Sequence, residues 1–139
     1  MAVHKHLISY SDGGSRGNPG PSAYGYVIKT PDGESIAGHG EYVGITTNNQ
    51  AEYKGILAAI RKARELGAET LEMRMDSELA VKQLTGEYKV KDAGLASIYM
   101  LIHTERIAFK KVTFKHVRRE YNTEADAQVN KALDRHLKK

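Results

Sequence analysis

The order of strand-like and helical segments restricts this chain to a small set of folds. The first half has three stretches of β character, residues 4–11, 24–30 and 35–43, with the turn residues Pro31, Asp32 and Gly33 before the third. Strands joined by short connections pair in antiparallel fashion, whereas parallel pairing needs a long crossover. We therefore expect these strands to form an antiparallel meander.

The second half alternates between helical and strand patterns. Apolar residues recur at helical spacing after Thr47, which offers N-cap chemistry, and Gly67 supplies a stop after Leu66. Further patterns predict a strand over 70–75, helices over 78–84 and 93–107, a strand over 112–117, and a helix capped by Asn122 that runs to about residue 137. The resulting order, βββαβααβα, predicts an α/β fold with one mixed five-stranded sheet and helices on both faces.

Length and composition set further bounds. A chain of 139 residues with 40% hydrophobic residues has the size of one domain, so we expect a single domain over residues 1–139. His4, Lys5 and His6 stand where a signal peptide would be apolar, and no segment approaches the length of a membrane span. We expect a soluble, cytoplasmic protein with no membrane partner. Without cysteine, zinc ribbons and thiolate nucleophiles are excluded, and a formal charge of +4 permits a nucleic-acid partner without demanding one.

Four carboxylates occupy positions from which we expect their side chains to converge. Asp12 and Asp76 are predicted at strand ends, and Glu52 and Asp126 in the first turns of helices. Ligands in open α/β sheets collect beyond the carboxyl ends of strands, so Asp12 and Asp76 converge if their strands are neighbours, and Glu52 and Asp126 are able to reach the same sheet edge. Acids without cysteine or a histidine partner favour Mg²⁺ or Mn²⁺ over zinc. Taken singly, each is more often a surface charge or a charge at a helix start.

The residues around these acids form an ordered series of short motifs. The series is Tyr10-Ser11-Asp12-Gly13-Gly14, Gly17-Asn18-Pro19-Gly20, Thr46-Thr47-Asn48-Asn49-Gln50-Ala51-Glu52, Asp76-Ser77, and Asn122 followed by Ala125-Asp126. Each motif is weak alone, but all of them in order, on elements of the expected type, resemble ribonuclease H of type 1 over nearly the whole chain. The resemblance implies the ribonuclease H fold, in which the first three strands of a five-stranded sheet are antiparallel.

The resemblance also implies an endonuclease that hydrolyses the RNA strand of an RNA–DNA hybrid and leaves 3'-hydroxyl and 5'-phosphate ends. Asp12, Glu52, Asp76 and Asp126 would hold two Mg²⁺ ions about 4 Å apart, and Mn²⁺ could substitute. One ion would present the attacking water, and the other would stabilise the leaving 3' oxygen. We expect Asp12 to bridge both ions because it is the most rigidly placed acid, whereas Asp126 on a helix can adjust.

Recognition of RNA depends on short polar groups near these acids. The 2'-hydroxyl separates RNA from DNA, and it is contacted from the minor groove. By the resemblance, Thr47 and Asn18 would hold a phosphate of the DNA strand; alternatively, these residues form only a helix cap and a turn. The predicted substrate-binding residues are Gly13, Gly14, Asn18, Thr47, Asn48, Asn49 and Ser77.

Two departures make the chain similar to archaeal-type members of the family. Where many bacterial members carry a mobile histidine ahead of the last aspartate, this chain has Glu120, and an adjacent arginine takes the place of the histidine. Arg119 is better placed for this than Arg118. We expect it to contact phosphate or assist product release, since arginine does not relay protons at neutral pH; the alternative is a solvated basic loop. The segment between Thr85 and Val112 is too short for the tryptophan-bearing basic handle of bacterial members, and the chain has no tryptophan.

The same residues fit other functions less well. A broader nuclease that also cuts double-stranded RNA remains open, because the A-form shape is partly shared. A non-catalytic hybrid-binding module would require loss of a carboxylate, and all four are present. A nucleotide-binding loop over residues 13–20 is disfavoured, because a strand follows it and no P-loop ending is present. We expect the protein to act as a monomer.

Overall fold

The computed structural model describes residues 5–137 and has the predicted order of elements, βββαβααβα. Residue 4, where the first predicted strand begins, lies outside the described residues. A 3₁₀ turn, Arg119–Tyr121, precedes the last helix. The strands and helices are β1 (His6–Ser15), β2 (Gly20–Lys29), β3 (Ser35–Thr46), α1 (Asn48–Glu65), β4 (Thr70–Met75), α2 (Glu78–Leu84), α3 (Ala93–Arg106), β5 (Lys111–His116) and α4 (Thr123–Leu137).

The strands form one five-stranded sheet in the order β3-β2-β1-β4-β5. β1 pairs antiparallel with β2, and β2 antiparallel with β3, whereas β4 is parallel to both β1 and β5. The predicted mixed sheet is therefore confirmed, with β1 at its centre. Pairing between β1 and β4 ends at Ser11 and Met75, so Asp12 and Asp76 are the next residues on two neighbouring strands.

β1 is longer than the sequence indicated. It continues to Ser15, because residues 12–15 pair with residues 22–25 of β2, and the prediction that Asp12 lies at a strand end was wrong. The predicted strand ended at residue 11, before Gly13 and Gly14, and glycine is in general unfavourable in strands. Here they pair with Tyr24 and Ala23. Asp12 instead marks the point at which β1 extends beyond β4.

Helices cover both faces of the sheet, as predicted, and glycines allow two of them to approach closely. A Cβ at Gly13 would overlap the backbone of Glu52 in α1, and one at Gly25 would lie 2.6 Å from the carbonyl oxygen of Ala125 in α4. Gly13 pairs with Tyr24, the neighbour of Gly25. Because successive residues of a strand point to opposite faces, α1 and α4 lie on opposite sides of the sheet.

The main hydrophobic core joins one face of the sheet to α1, α2 and α3. A smaller cluster packs beneath α4 and consists of Ala23, Val129, Ala132 and Leu133. Among the described residues, no helix is both long and apolar enough to cross a membrane. Fully buried members of the main core include Leu7, Ile28, Ile56, Ile60, Met73 and Ile102.

Candidate active site

The four predicted carboxylates line one cavity of about 440 Å³. The cavity lies where the pairing between β1 and β4 ends. Asp12 comes from β1, Asp76 directly follows β4, and Glu52 and Asp126 come from the first turns of α1 and α4. The four acids therefore come from distant segments of the sequence, and the fold brings them to one place. The remaining lining residues are Gly13, Gly14, Ser15, Arg16, Asn48, Ser77, Arg119, Val129, Asn130 and Leu133.

Local hydrogen bonds fix the elements that carry these acids. Thr47 caps α1 as predicted, since its hydroxyl oxygen accepts the N–H of Gln50 at 3.2 Å. Ser77 caps α2 in the same way, accepting the N–H of Ala80 at 3.1 Å. Caps of this kind satisfy donors that a helix leaves unpaired. The starts of α1 and α2, next to Glu52 and Asp76, are therefore well defined.

The acids repel one another in a partly buried site. Burial, followed by repulsion from Asp76, raises the pKa of Asp12 to about 8, although the N–H of Gly13 donates to its carboxylate at 2.9 Å. Burial also raises the pKa of Glu52 to about 7 against the hydrogen bond from Ser77. A divalent cation would neutralise this excess of negative charge. Carboxylate oxygens are the ligands that Mg²⁺ and Mn²⁺ prefer.

The donor chemistry of the four carboxylates fits divalent ions. Within residues 5–137, no three acidic or histidine side chains surround a common metal position. Asp126 is the exposed member of the set, whereas Asp12, Glu52 and Asp76 are half-buried. Ion binding would therefore draw the carboxylates together, with the largest freedom of movement at Asp126.

The raised pKa values predict how the stability of the metal-free protein changes with pH. The Asp12 carboxyl has an ordinary pKa of 3.8 and a folded-state pKa of about 8. Between these values the folded state binds a proton that the unfolded state lacks, so stability falls as pH rises. We expect the Tm in chelator to fall between about pH 4 and 8, and Asp12→Asn to flatten this decline. Parallel profiles for the two proteins would contradict the raised pKa.

Arg119 is the arginine that reaches the cavity. Its Nε lies 3.7 Å from Oδ2 of Asp76, while Arg118 pairs with Glu120 and does not line the cavity. The Arg119 side chain is 90% exposed and that of Asp76 only 11%. The guanidinium therefore stands at the mouth of the cavity, exposed to solvent.

The predicted substrate-binding residues divide into two groups. Gly13, Gly14, Asn48 and Ser77 line the cavity. The other three residues do not line it, and their predicted roles stay predictions. Oδ1 of Asn18 accepts the N–H of Asn48 at 3.1 Å, Thr47 caps α1, and Asn49 lies in an adjacent recess beside Glu52 and Ser77.

Asn122 does not cap α4 with its side chain, contrary to the prediction. The residue is 1% exposed, and its Nδ2 donates to the carbonyl oxygen of Ser11 at 2.9 Å. Its Oδ1 has no hydrogen-bond partner among the described residues. The side chain instead ties the start of α4, which carries Asp126, to β1 directly beside Asp12.

Three polar cavity residues, Ser15, Arg16 and Asn130, were missed in the sequence. Asn130 follows Asp126 by four positions, a spacing that places both on one helix face and could have identified it. Arg16 pairs with Asp134 at 2.7 Å, across 118 positions of sequence. No local pattern indicates such a pair.

Sequence comparison supports the resemblance found in the motifs. Residues 10–132 match the model of the reverse transcriptase-like family. The chain is 42% identical over 126 residues to ribonuclease HI of Halobacterium salinarum, an alignment that covers 91% of this chain and 63% of that protein. It is 40% identical over 129 residues to a bifunctional protein of Mycobacterium tuberculosis, covering 92% of this chain and 35% of the relative. The chain thus spans less than two thirds of the length of these relatives.

Solved structures share both the fold and the sequence. RNase H1 from Halobacterium salinarum superposes with a TM-score of 0.91 at 41% identity, covering 94% of this chain and 98% of that one. LC11-RNase H1 in complex with an RNA/DNA hybrid superposes with a TM-score of 0.90 at 39% identity, covering 94% of this chain and 99% of that one.

The sheet order and carboxylate cavity define the reverse transcriptase-like class of domain. Within that class, the chain belongs to the ribonuclease H type 1 family. Residues 85–92, between α2 and α3, contain no helix, as expected for the variant without the basic handle.

Proposed function

We propose that this protein is an endonuclease that hydrolyses the RNA strand of RNA–DNA hybrids with two divalent metal ions, leaving 5'-phosphate and 3'-hydroxyl ends. The observation that carries the proposal is the single cavity lined by Asp12, Glu52, Asp76 and Asp126. A relative with 39% identity has been crystallised with an RNA/DNA hybrid, which supports the choice of substrate.

The four carboxylates would hold the ions, either Mg²⁺ or Mn²⁺, through their oxygens. When bound, a metal pair in such a site activates the attacking water and stabilises charge on the leaving oxygen. The chain itself supplies a set of acids whose mutual repulsion is relieved when a cation or a proton binds, so the two compete for the site. Asp12 and Glu52, with raised pKa values of about 8 and 7, would bind metal best once deprotonated.

Neighbouring residues would orient the acids and the substrate. The Ser77 hydroxyl hydrogen-bonds with Glu52 and caps α2, so it would hold Glu52 and the segment after Asp76 in one geometry. Arg119 at the mouth would contact a phosphate oxygen of the RNA strand and favour the negative charge that develops there. Because arginine stays protonated at neutral pH, it would not serve as a proton relay.

Recognition of the 2'-hydroxyl would fall to polar groups at the cavity wall. Gly13 and Gly14 expose backbone there, and the Asn48 side chain accepts the N–H of Ser15 at 2.8 Å, which leaves its amide donors available. Asn18 accepts the backbone N–H of Asn48, and Thr47 precedes Asn48 in the chain; both would contact a phosphate of the DNA strand.

The test is a cleavage assay with labelled RNA–DNA hybrid, double-stranded RNA and DNA duplex, each in Mg²⁺, Mn²⁺ or chelator. We expect cleavage of the RNA strand of the hybrid only with metal, and an intact DNA duplex. The products should accept ligation at a 5'-phosphate without prior phosphorylation. Hybrid left intact with both metals would overturn the proposal, whereas equal rates on double-stranded RNA would establish the broader nuclease instead.

The short connection between α2 and α3 predicts hybrid binding that depends strongly on salt. Without a handle, contacts to phosphates carry most of the affinity, and each one is screened by salt. With about six such contacts, affinity falls by roughly 10³ between 50 and 200 mM salt. Binding is measured with Asp12→Asn, which is expected not to cut the hybrid. Tight binding that changes little over this interval would contradict the prediction, as would binding stronger than that of handle-bearing relatives.

We also propose that residues 1–139 form one domain that acts as a cytoplasmic monomer. One core cluster links residues from β1 to Phe109 across the sheet and three helices, which supports a single folding unit. The lack of cysteine is consistent with a reducing compartment. Sedimentation equilibrium of the protein with and without hybrid tests the monomeric state.

A further inference from the structure

A chain of polar contacts joins Asp126 to the loop between β1 and β2. Nδ2 of Asn130 lies 3.3 Å from Oδ2 of Asp126 and 3.2 Å from its carbonyl oxygen. Nη2 of Arg16 lies 3.5 Å from Oδ1 of Asn130 and 2.7 Å from Oδ1 of Asp134. Asp126, Asn130 and Asp134 are spaced by four residues, so they form one stripe along α4.

The partners on the two sides of Asn130 permit only one orientation of its amide. Arginine has donors and no acceptor, so it faces the amide oxygen, while the carboxylate and carbonyl oxygens of Asp126 only accept and face the amide nitrogen. If Arg16 were absent, the amide could rotate and turn its oxygen towards the carboxylate of Asp126. The partly negative amide oxygen would then repel the negative carboxylate, and the carboxylate would lose its donor.

Asp126 needs such a partner more than the other acids do. Asp12, Glu52 and Asp76 are half-buried and contact the Gly13 N–H, the Ser77 hydroxyl and the Arg119 guanidinium respectively. Asp126 is exposed and lies on a helix rather than in the sheet. Its side chain therefore has the largest conformational freedom to lose when it binds an ion.

We propose that Asn130 is a positioning residue that holds the carboxylate of Asp126 for metal binding, and that Arg16 acts through Asn130 by fixing its amide. The proposal rests on the metal site of the proposed function, but it concerns how the Asp126 carboxylate is oriented before an ion binds. Groups that hydrogen-bond metal ligands commonly change metal affinity by 10-fold to 100-fold when removed. Neither residue contacts the ion in this scheme.

The first experiment titrates Mn²⁺ into substrate-free protein and follows binding by calorimetry. We expect Asn130→Ala to weaken Mn²⁺ binding by about ten-fold. The matched control is Lys131→Ala, an exposed residue of α4 outside the cavity, which should bind Mn²⁺ like wild type. In cleavage assays, Asn130→Ala should raise the Mg²⁺ concentration for half-maximal activity by a similar factor, with the KM for hybrid unchanged.

The second experiment is a double-mutant cycle with Arg16→Ala. Alone, this variant should weaken Mn²⁺ binding by a smaller factor than Asn130→Ala. In the Asn130→Ala background it should have no further effect, because residues that act through one another are not additive. Additive losses would show that Arg16 acts independently and would overturn its assigned role.

Mn²⁺ binding by Asn130→Ala equal to that of wild type would overturn the proposal, as would a raised KM at an unchanged Mg²⁺ requirement. Wild type that binds no Mn²⁺ would also overturn it, because no site would exist to position. Wild type that fails to cut hybrid while Asn130→Ala still loses Mn²⁺ affinity would defeat the proposed function and leave the positioning role supported.

Discussion

Replacing Asp12 by asparagine should lower hybrid cleavage by about three orders of magnitude or more while stabilising the metal-free protein. The side chain keeps its shape but loses the charge that would bind metal. In the absence of metal, that charge is unfavourable, because burial and the other acids raise the pKa of Asp12 to about 8. Measurements of kcat/KM with Mg²⁺ and of Tm with chelator at about pH 8 test both parts.

Asp32→Asn is the matched control for this substitution. Asp32 lies in the turn between β2 and β3, outside the cavity, and a hydrogen bond from the Thr30 hydroxyl lowers its pKa. Its replacement should leave cleavage unchanged and give no stabilisation. An Asp12→Asn protein that keeps more than about a tenth of the activity, or that melts below wild type in chelator, would contradict the assignment of Asp12.

Gly13→Ala should destabilise the fold by about 3 kcal/mol and greatly reduce cleavage. A Cβ at this position would overlap the backbone of Ala51 and Glu52, so α1 would have to move away from β1. Because Glu52 lies on α1 and Asp12 on β1, this movement would separate two of the carboxylates. Denaturant unfolding gives the loss of stability, and the cleavage assay gives the loss of activity.

Gly14→Ala controls for the effect of a methyl group on the same strand. A Cβ at Gly14 would meet only Cγ1 of Val129, at 3.6 Å, which is ordinary van der Waals contact. Both substitutions reduce the conformational entropy of the unfolded chain alike, so their difference isolates the clash. We expect Gly14→Ala to lie within about 1 kcal/mol of wild type. Equal stability of the two variants would contradict the close approach of α1 to β1.

The parts of the fold set by local pattern were predicted well. β4 and α2 have the expected bounds, because buried residues alternate in β4 and Ser77 supplies a cap at the start of α2. The convergence of the acids also followed from sequence, because Asp76 directly follows a strand that lies next to β1. The rule that ligands collect at strand ends indicated a shared edge, and the observed pairing of β1 with β4 makes Asp12 and Asp76 neighbours there.

The features that were missed depend on contacts between distant segments. β1 extends past Asp12 because β2 offers hydrogen-bond partners, which the glycines themselves do not reveal. Asn122 directs its side chain to Ser11, 111 positions earlier, rather than to its own helix. Arg16 likewise finds Asp134 only after folding. For β1 and Asn122, the local interpretation was a strand end and a helix cap, and tertiary contacts overrode it.

The most direct test of the central claim uses a DNA strand with a short internal run of ribonucleotides, paired with complementary DNA. The carboxylate cavity and 2'-hydroxyl recognition together predict cleavage only within the ribonucleotide run. Cleavage should require Mg²⁺ or Mn²⁺ and should be lost in Asp12→Asn. Cleavage in the flanking deoxynucleotides, in chelator, or at an undiminished rate by Asp12→Asn would contradict the account.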